Sequence, residues 1–332
     1  MSNLPYFVKI DSHGVWEFTI DHHLLDTFVS CERKFYLRHV LLHKPKTLTG
    51  GGFALNVGIW WANVLEQFYN QVRNNGTLSS VAGIMELAGL EWNKLGMSAI
   101  GTEKQRESFG DIKGAMLMAR EYYETFGERD IQNWKIISAE QGFGLRKEVS
   151  LGENDKVRVF YMGKPDLSVF SLPDIQYCPV EHKTRHVIDT DVQARYKPHS
   201  QTTGYIFALS KIAKDLGIDR PVDRCIVNVA ARSRPSDNPR DGKKKPRFAR
   251  VYVAYSSEEL EEWRLGVLDK VTRMRHAIEH GDYIWREASC HLFRGCEFRR
   301  VDSTPPGARD IILTADFIKA EPWAPYEVEE ED

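Results

Sequence analysis

The sequence predicts an α/β protein, on three observations. Up to about residue 130 the apolar residues recur at helical spacing; from Trp134 to Tyr255 they fall in short strand-like runs; a last helical stripe follows Ser256. Helices on both sides of a strand-rich centre suggest one α/β domain with helical arms. The expected division is 1–130 as N-terminal arm and insertion, 131–256 as the core with the helix at 57–72 packed on it, and 257–332 as C-terminal helix, cysteine-containing segment and acidic tail.

Each element has its own reason. The run from Asp26 to Val40 carries Phe28, Cys31, Phe35 and Leu37, and Val57 to Val72 continues with Ile59, Trp60, Val64, Leu65 and Phe68. Gly50-Gly51-Gly52 marks a turn between them, and no Gly-Lys-Ser/Thr follows to make it a phosphate-binding loop. Amphipathic runs from Leu78 to Leu95 and from Glu103 to Phe126 complete the helical section. Strands are expected at Lys135 to Val149, Lys156 to Met162, Leu167 to Phe170 and Tyr177 to Thr184, the last two joined by a Ser171-Leu172-Pro173-Asp174 turn. A helix from about Pro198 to Leu216 ends at Gly217, and strands follow at Arg224 to Ala230 and Arg247 to Tyr255. Ser256-x-x-Glu259 is a capping box for the final long helix. Its stripe of Leu260, Trp263, Val267, Val271, Met274 and Ile278 reads as core and stops at Gly281.

The 332 residues are 42% hydrophobic and 28% charged, ordinary for a soluble protein. The chain has no run of ~18 apolar residues, and Met1 to Gly14 lacks a basic-then-apolar leader, so no membrane association and a cytoplasmic location are expected. A net charge of -2 does not announce a polyanion binder. Local asymmetry does: Arg232 to Arg250 includes Arg234, Arg240, Lys243, Lys244, Lys245 and Arg247 against Asp237 and Asp241. This loop is either solvated or a phosphate-backbone contact, for which Lys243, Lys244, Lys245 and Arg247 are the candidates. The acidic end, Glu327 to Asp332, reads as solvated tail. Five cysteines make no disulfide framework. Cys178 and Cys225 sit in apolar runs as core thiols, whereas Cys31, Cys290 and Cys296 lie near the chain ends in polar surroundings.

The residues that carry chemistry are Asp166, closing Gly163-Lys164-Pro165-Asp166, and Glu181-His182-Lys183-Thr184 one hairpin later. A hairpin brings the two carboxylates together, and two anionic oxygens with a main-chain carbonyl and waters suit Mg²⁺ or Mn²⁺. Strand alternation puts Lys183 on the face of Glu181, where it can orient or help deprotonate the attacking water and offset charge on a pentacovalent phosphate. His182 points to the other face, leaving only its carbonyl as a ligand.

These motifs resemble the PD-(D/E)XK nuclease superfamily, in the branch of RecB-type, CRISPR-associated and phage exonucleases. Pro165-Asp166 and Glu181-His182-Lys183 match its motif, Thr184 is the residue the branch favours after the lysine, and Gln201-Thr202-Thr203-Gly204-Tyr205 matches its Gln-x-x-x-Tyr helix. The resemblance implies a mixed β-sheet flanked by helices, restriction-endonuclease-like in its core. It also implies a divalent-metal-dependent deoxyribonuclease, an exonuclease on DNA ends or single strands serving recombination, repair, or phage or CRISPR-related processing. In that reading Asp166, Glu181 and Lys183 are catalytic, and Gln201 and Tyr205 contact DNA or brace the carboxylates. Glu140 resembles a glutamate common in the branch. Gly58 to Glu66 resembles its Gly-x-x-x-His-x-x-x-Glu helix, but Ala62 stands where the metal-binding histidine belongs. Glu66, one turn on, can serve as the helical ligand, and His22-His23 is either a further substitute or a pair of exposed loop histidines. Trp60, Trp61 and Tyr196 either stack on bases or pack in the core.

Several members of the branch clamp their arms with an iron-sulfur cluster. Cys31, Cys290 and Cys296 fit three of its positions, while Asp302 stands at the fourth; a 4Fe-4S cluster, a zinc ion and plain thiols all remain open. The alternative function is a catalytically weakened nuclease-fold subunit that binds DNA or a protein partner, and self-association also stays open. A sequence-specific restriction-type endonuclease is disfavoured by the Gln-x-x-x-Tyr helix and the Cys31 arm.

Overall fold

A computed structural model describes the chain except residues 1–3, 47–51, 77–78, 101, 104–110, 152–154, 216, 219, 221, 234–244, 292–294 and 323–332. In chain order its elements are β1 (Val8–Ile10), β2 (Trp16–Ile20), α1 (His22–Ser30), α2 (Glu32–Phe35) running into a π-helical turn (Tyr36–Val40), and β3 (His43–Pro45). Then come α3 (Gly52–Arg73), α4 (Val81–Lys94), α5 (Ile112–Tyr122), α6 (Glu128–Asn133), β4 (Trp134–Ala139), β5 (Phe143–Ser150), β6 (Lys156–Gly163), β7 (Leu167–Ser171) and β8 (Gln176–Arg185). The chain closes with α7 (Ser200–Asp215), β9 (Arg224–Ala231), β10 (Phe248–Ala254), α8 (Ser257–His280), α9 (Glu287–Cys290), α10 (Arg299–Asp302), α11 (Arg309–Asp316) and β11 (Phe317–Lys319). Among the described residues no helix is long and apolar enough to cross a membrane.

The chain divides into two compact units that interleave in sequence: 1–49, 142–163 and 261–332 form the first, 50–141 and 164–260 the second. The expected division at 130 and 256 follows the order of elements along the chain, whereas these units follow contacts. The predicted run from Lys135 to Val149 is two strands, β4 and β5, which belong to different units and different sheets. Glu140, at φ +51, turns the chain between them, and the apolar alternation changes phase there, from Trp134 and Ile136 to Phe143, Leu145 and Val149.

In the first unit, β2 and β6 run parallel at the centre of a four-stranded sheet ordered β1-β2-β6-β5, and β11 pairs with β3 in a separate ribbon. The expected helix from Asp26 to Val40 breaks at Cys31, whose extended backbone ends α1 and begins α2. Apolar spacing persists across that kink because Phe28 and Phe35 pack edge to face, 5.1 Å apart.

The second unit is built on a five-stranded sheet ordered β10-β9-β8-β7-β4, antiparallel throughout except for the parallel β8–β9 pair. Being central, β8 reads as nearly unbroken apolar sequence until its polar end. Helix α3 buries Val57, Trp60, Trp61, Val64, Leu65, Phe68 and Tyr69 in the core that also takes Leu167, Val169, Cys178 and Val180. The capping box is formed, with the Ser256 N–H donating to Glu259 Oε2 at 2.7 Å and the Glu259 N–H to Ser256 Oγ at 3.2 Å.

Candidate active site

Antiparallel pairing of β7 with β8 sets the register Leu167 opposite Val180, so Asp166, one residue before β7, arrives beside Glu181. On its other side β8 pairs in parallel with β9, placing Glu181 opposite Val227 and Lys183 opposite Val229. The acids thus stand where an apolar central strand turns polar. Glu181 is only 4% exposed, while Asp166 and Lys183 keep partial contact with solvent.

Hydrogen bonds fix most of these atoms. The His182 N–H donates to Asp166 Oδ2, and Lys183 Nζ pairs with Glu181 Oε1. Gln201 Nε2, from the first turn of α7, lies 3.0 Å from the same Glu181 oxygen and 3.0 Å from the Tyr205 hydroxyl, which in turn donates to the Lys164 carbonyl at 2.9 Å. Glu181 Oε2, buried, has no hydrogen-bond partner among the described residues. An acceptor in that condition is costly unless a cation or donor meets it.

Around this pair stands a second set of charges. Glu140 donates its N–H to the Asp166 carbonyl at 2.9 Å, and its carboxylate is ion-paired with Lys164. Glu66 on α3 faces Glu140 and Lys164 electrostatically. Removal from bulk water, then the Glu181 and Glu140 charges, raise Asp166 well above the usual carboxylate range. Burial also raises Glu181, although Lys183 and Gln201 pull the other way. For Lys183 burial works against the ammonium, but the Glu181 carboxylate outweighs it and holds the group above the ordinary lysine range.

The donor set fits a hard divalent cation in part. Two neighbouring carboxylates and one orphaned oxygen are what Mg²⁺ or Mn²⁺ takes up. Among the described residues, however, no three His, Cys, Asp or Glu side chains converge to hold a metal ion. Glu66 on α3 has Glu140 and Lys164 as its nearest charges, and Glu140 also acts on Asp166. Ala62 on α3 offers no ligand, and His22 and His23 belong to the first unit.

Other expectations sort differently. Gln201 and Tyr205, 6% and 2% exposed, brace the acids and the Lys164 carbonyl and present no surface to DNA. Trp60, Trp61 and Tyr196 are buried core residues. Lys243 and Lys244 lie outside the described residues, Lys245 is exposed, and Arg247 is buried and paired with Glu121 at 2.7 Å. Arg247 is thus taken by a carboxylate rather than offered to a phosphate. Lys164 was not singled out, although it stands two residues before Asp166; that spacing is its one signal.

Among the described residues no three His, Cys, Asp or Glu side chains converge as an iron-sulfur cluster would need. Asp302, at the fourth position, is paired with Arg33 at 3.6 Å, and Cys290 Sγ accepts from Trp285 Nε1 at 3.3 Å.

Two acids and a lysine at the polar end of a central strand define a site of the kind that cleaves phosphodiesters with metal help. Compared with known families, the chain matches the model of the PD-(D/E)XK nuclease superfamily over residues 22–301, and it belongs to that superfamily. A search of curated proteins found no match.

Proposed function

We propose that the chain is a divalent-metal-dependent deoxyribonuclease acting on DNA ends or single strands, with Asp166, Glu181 and Lys183 as its catalytic residues. The observation that carries this is the adjacent Asp166–Glu181 pair, with buried Glu181 Oε2 unpartnered among the described residues and Lys183 Nζ on Glu181 Oε1. Asp166, Glu181 and the His182 main-chain carbonyl would hold the cation, which when bound polarises the phosphate and acidifies water. Lys183, paired with Glu181, would orient or help deprotonate the attacking water and balance charge on the phosphorane. Gln201 keeps Glu181 in one rotamer, and Tyr205 ties α7 to the loop before Asp166. Preference for ends rests on the resemblance of Thr184 and Gln201-x-x-x-Tyr205 to the exonuclease branch.

A second reading, a nuclease-fold subunit with weakened catalysis, is favoured by Ala62 and by the absence of a third converging ligand among the described residues. End-labelled linear single- and double-stranded DNA, compared with closed circles in Mg²⁺ or Mn²⁺, separates the two. Degradation of linear DNA that Lys183→Ala abolishes supports the nuclease. Wild type indistinguishable from Lys183→Ala in every condition leaves the binding subunit.

A further inference from the structure

The first unit encloses a cavity of about 340 Å³ whose walls include Tyr6, Asp21, Arg38, His39, His43 and Lys44. That volume lies in the range that encloses small ligands. Asp21 is 3% exposed; its Oδ1 caps α1 by accepting from the Leu24 N–H at 2.7 Å, while its Oδ2 has no partner among the described residues. His39 Nε2 and His43 Nδ1 are buried and equally without partners there. Buried polar atoms are nearly always hydrogen-bonded, so three orphans on residues of one wall call for a ligand.

The chemistry of the wall narrows the class. Arg38 and Lys44 are exposed cations of the lining, whereas Asp21 and Glu321 are its carboxylates, so Arg38 and Lys44 are the groups that would take an anion. Arg38 touches Glu297 only at 3.3 Å and half-exposed, a weak pair that leaves donors free. Burial, with the Arg38 and His23 charges, lowers His39 to about 4. Its imidazole is neutral at pH 7 and can donate from one nitrogen. Asp21 Oδ2, at the other end of the demand, needs a hydroxyl or amine donor. Tyr6 and the imidazoles supply flat faces. A metal is a poorer answer, because no three ligating side chains converge among the described residues. The backbone is itself unusual here: Arg38 and His39 sit on the π-helical turn, and Leu42 is held at φ 55. Such turns recur at functional sites.

We propose that this cavity binds a phosphomonoester of mononucleotide size, its phosphate held by Arg38, Lys44 and the imidazoles and a ligand hydroxyl or amine donating to Asp21. The ligand is either a free nucleotide or the phosphorylated end of a DNA strand, which share this chemistry. The inference is independent of the nuclease reading, since Asp166, Glu181 and Lys183 lie in the second unit.

Titration calorimetry of the full chain in EDTA tests it, with deoxynucleoside 5′-monophosphate, the nucleoside, inorganic phosphate and a short 5′-phosphorylated oligonucleotide as probes. The expected result is saturable one-site binding of the monophosphate, at least tenfold tighter than nucleoside or phosphate. Arg38→Gln combined with Lys44→Gln, two exposed positions that the fold tolerates, should weaken it at least tenfold, while Lys183→Ala leaves it unchanged. Asp21→Asn keeps the cap acceptor and should narrow the gap between monophosphate and phosphate. A tenfold preference for the oligonucleotide or for the free nucleotide supports the site and names the source. Absence of saturable binding, indifference to the double substitution, or loss in Lys183→Ala alone overturns it.

Discussion

Two pairs of charged residues in the second unit differ in how completely they are answered. Asp130 and Arg250 form a two-pronged ion pair with both bonds at 2.8 Å. Arg250 Nε also donates to Asn228 Oδ1 at 2.8 Å, Asp130 accepts from the Tyr69 hydroxyl at 2.6 Å, and the guanidinium lies 4.1 Å from the centre of the Phe126 ring. Tyr69 stacks on His182, whose Nδ1 lies 3.3 Å from Asn228 Nδ2, so this cluster reaches β8 from the face opposite Glu181. The Asp166–Glu181 pair sets like charge beside like charge and leaves an oxygen unmet. One strand therefore has a side whose charged groups are answered, with His182 Nε2 alone unpartnered there among the described residues, and a side where a carboxylate oxygen is left over. Burial alone does not distinguish scaffold from site; the balance of partners does.

The sharpest way to break this contrast is to neutralise an acid. Asp166→Asn should lower metal-dependent cleavage of end-labelled DNA by roughly a thousandfold or more, the scale of losing a charge-stabilising group. It should also raise the melting temperature in EDTA. The sign follows from the raised pKa of Asp166: proton uptake on folding stabilises the protein below the ordinary carboxylate value, and that gain is lost as pH rises through the folded value. Melting curves of wild type and Asp166→Asn should therefore diverge as pH rises through that window. Groups with lowered values, such as His39, titrate alike in both proteins and cancel from the difference. A variant no more stable than wild type at pH 8 would show the acid pair to be compensated after all.

On the Asp130–Arg250 side the effect is on stability. Arg250→Met leaves Asp130 buried at 1% exposure without its cation, at a cost of about 3–5 kcal/mol in urea denaturation. A loss below about 1 kcal/mol would mean that the cluster is no scaffold.

Much of the acid side was legible in sequence, and almost none of the scaffold was. Asp166, Glu181 and Lys183 fall on one hairpin and its continuation, so strand alternation and a short turn suffice to bring them together. Gln201 and Tyr205 share a helical face, and only their role was open. Arg250 meets Asp130 across 120 residues, and local pattern read it as part of a basic loop. Arg247 was read the same way for the same reason, its partner Glu121 being 126 residues distant. The interleaving of the two units is likewise invisible, because β5 and β6 alternate as the strands around them do, and a change of phase does not say which sheet a strand joins. Gln201 also tests the border between the two sides. Gln201→Ala removes a donor from Glu181 Oε1 and should raise the Mg²⁺ requirement for cleavage about 10- to 100-fold, the usual weight of a group that orients a ligand. The melting temperature should move little, and a large fall would assign Gln201 to the scaffold.

The smallest effect expected is at Gly58, and it sharpens the contrast most finely because it changes spacing without changing charge. A Cβ built on Gly58 would stand 3.3 Å from Thr184 Oγ1, tight enough that α3 or the end of β8 must give by a few tenths of an ångström. Gly58→Ala gains helix propensity of roughly 1 kcal/mol, and the crowding at Thr184 opposes part of that. Stability should therefore change by less than about 1 kcal/mol. Thr184 follows Lys183 directly, so the same displacement reaches the ammonium and the Glu181 carboxylate it holds. Cleavage should fall severalfold with the Mg²⁺ requirement moved in parallel. If cleavage and melting temperature are both unaltered, the close approach of α3 to β8 is packing only, and the position of the acids is set by the Asp130–Arg250 side alone.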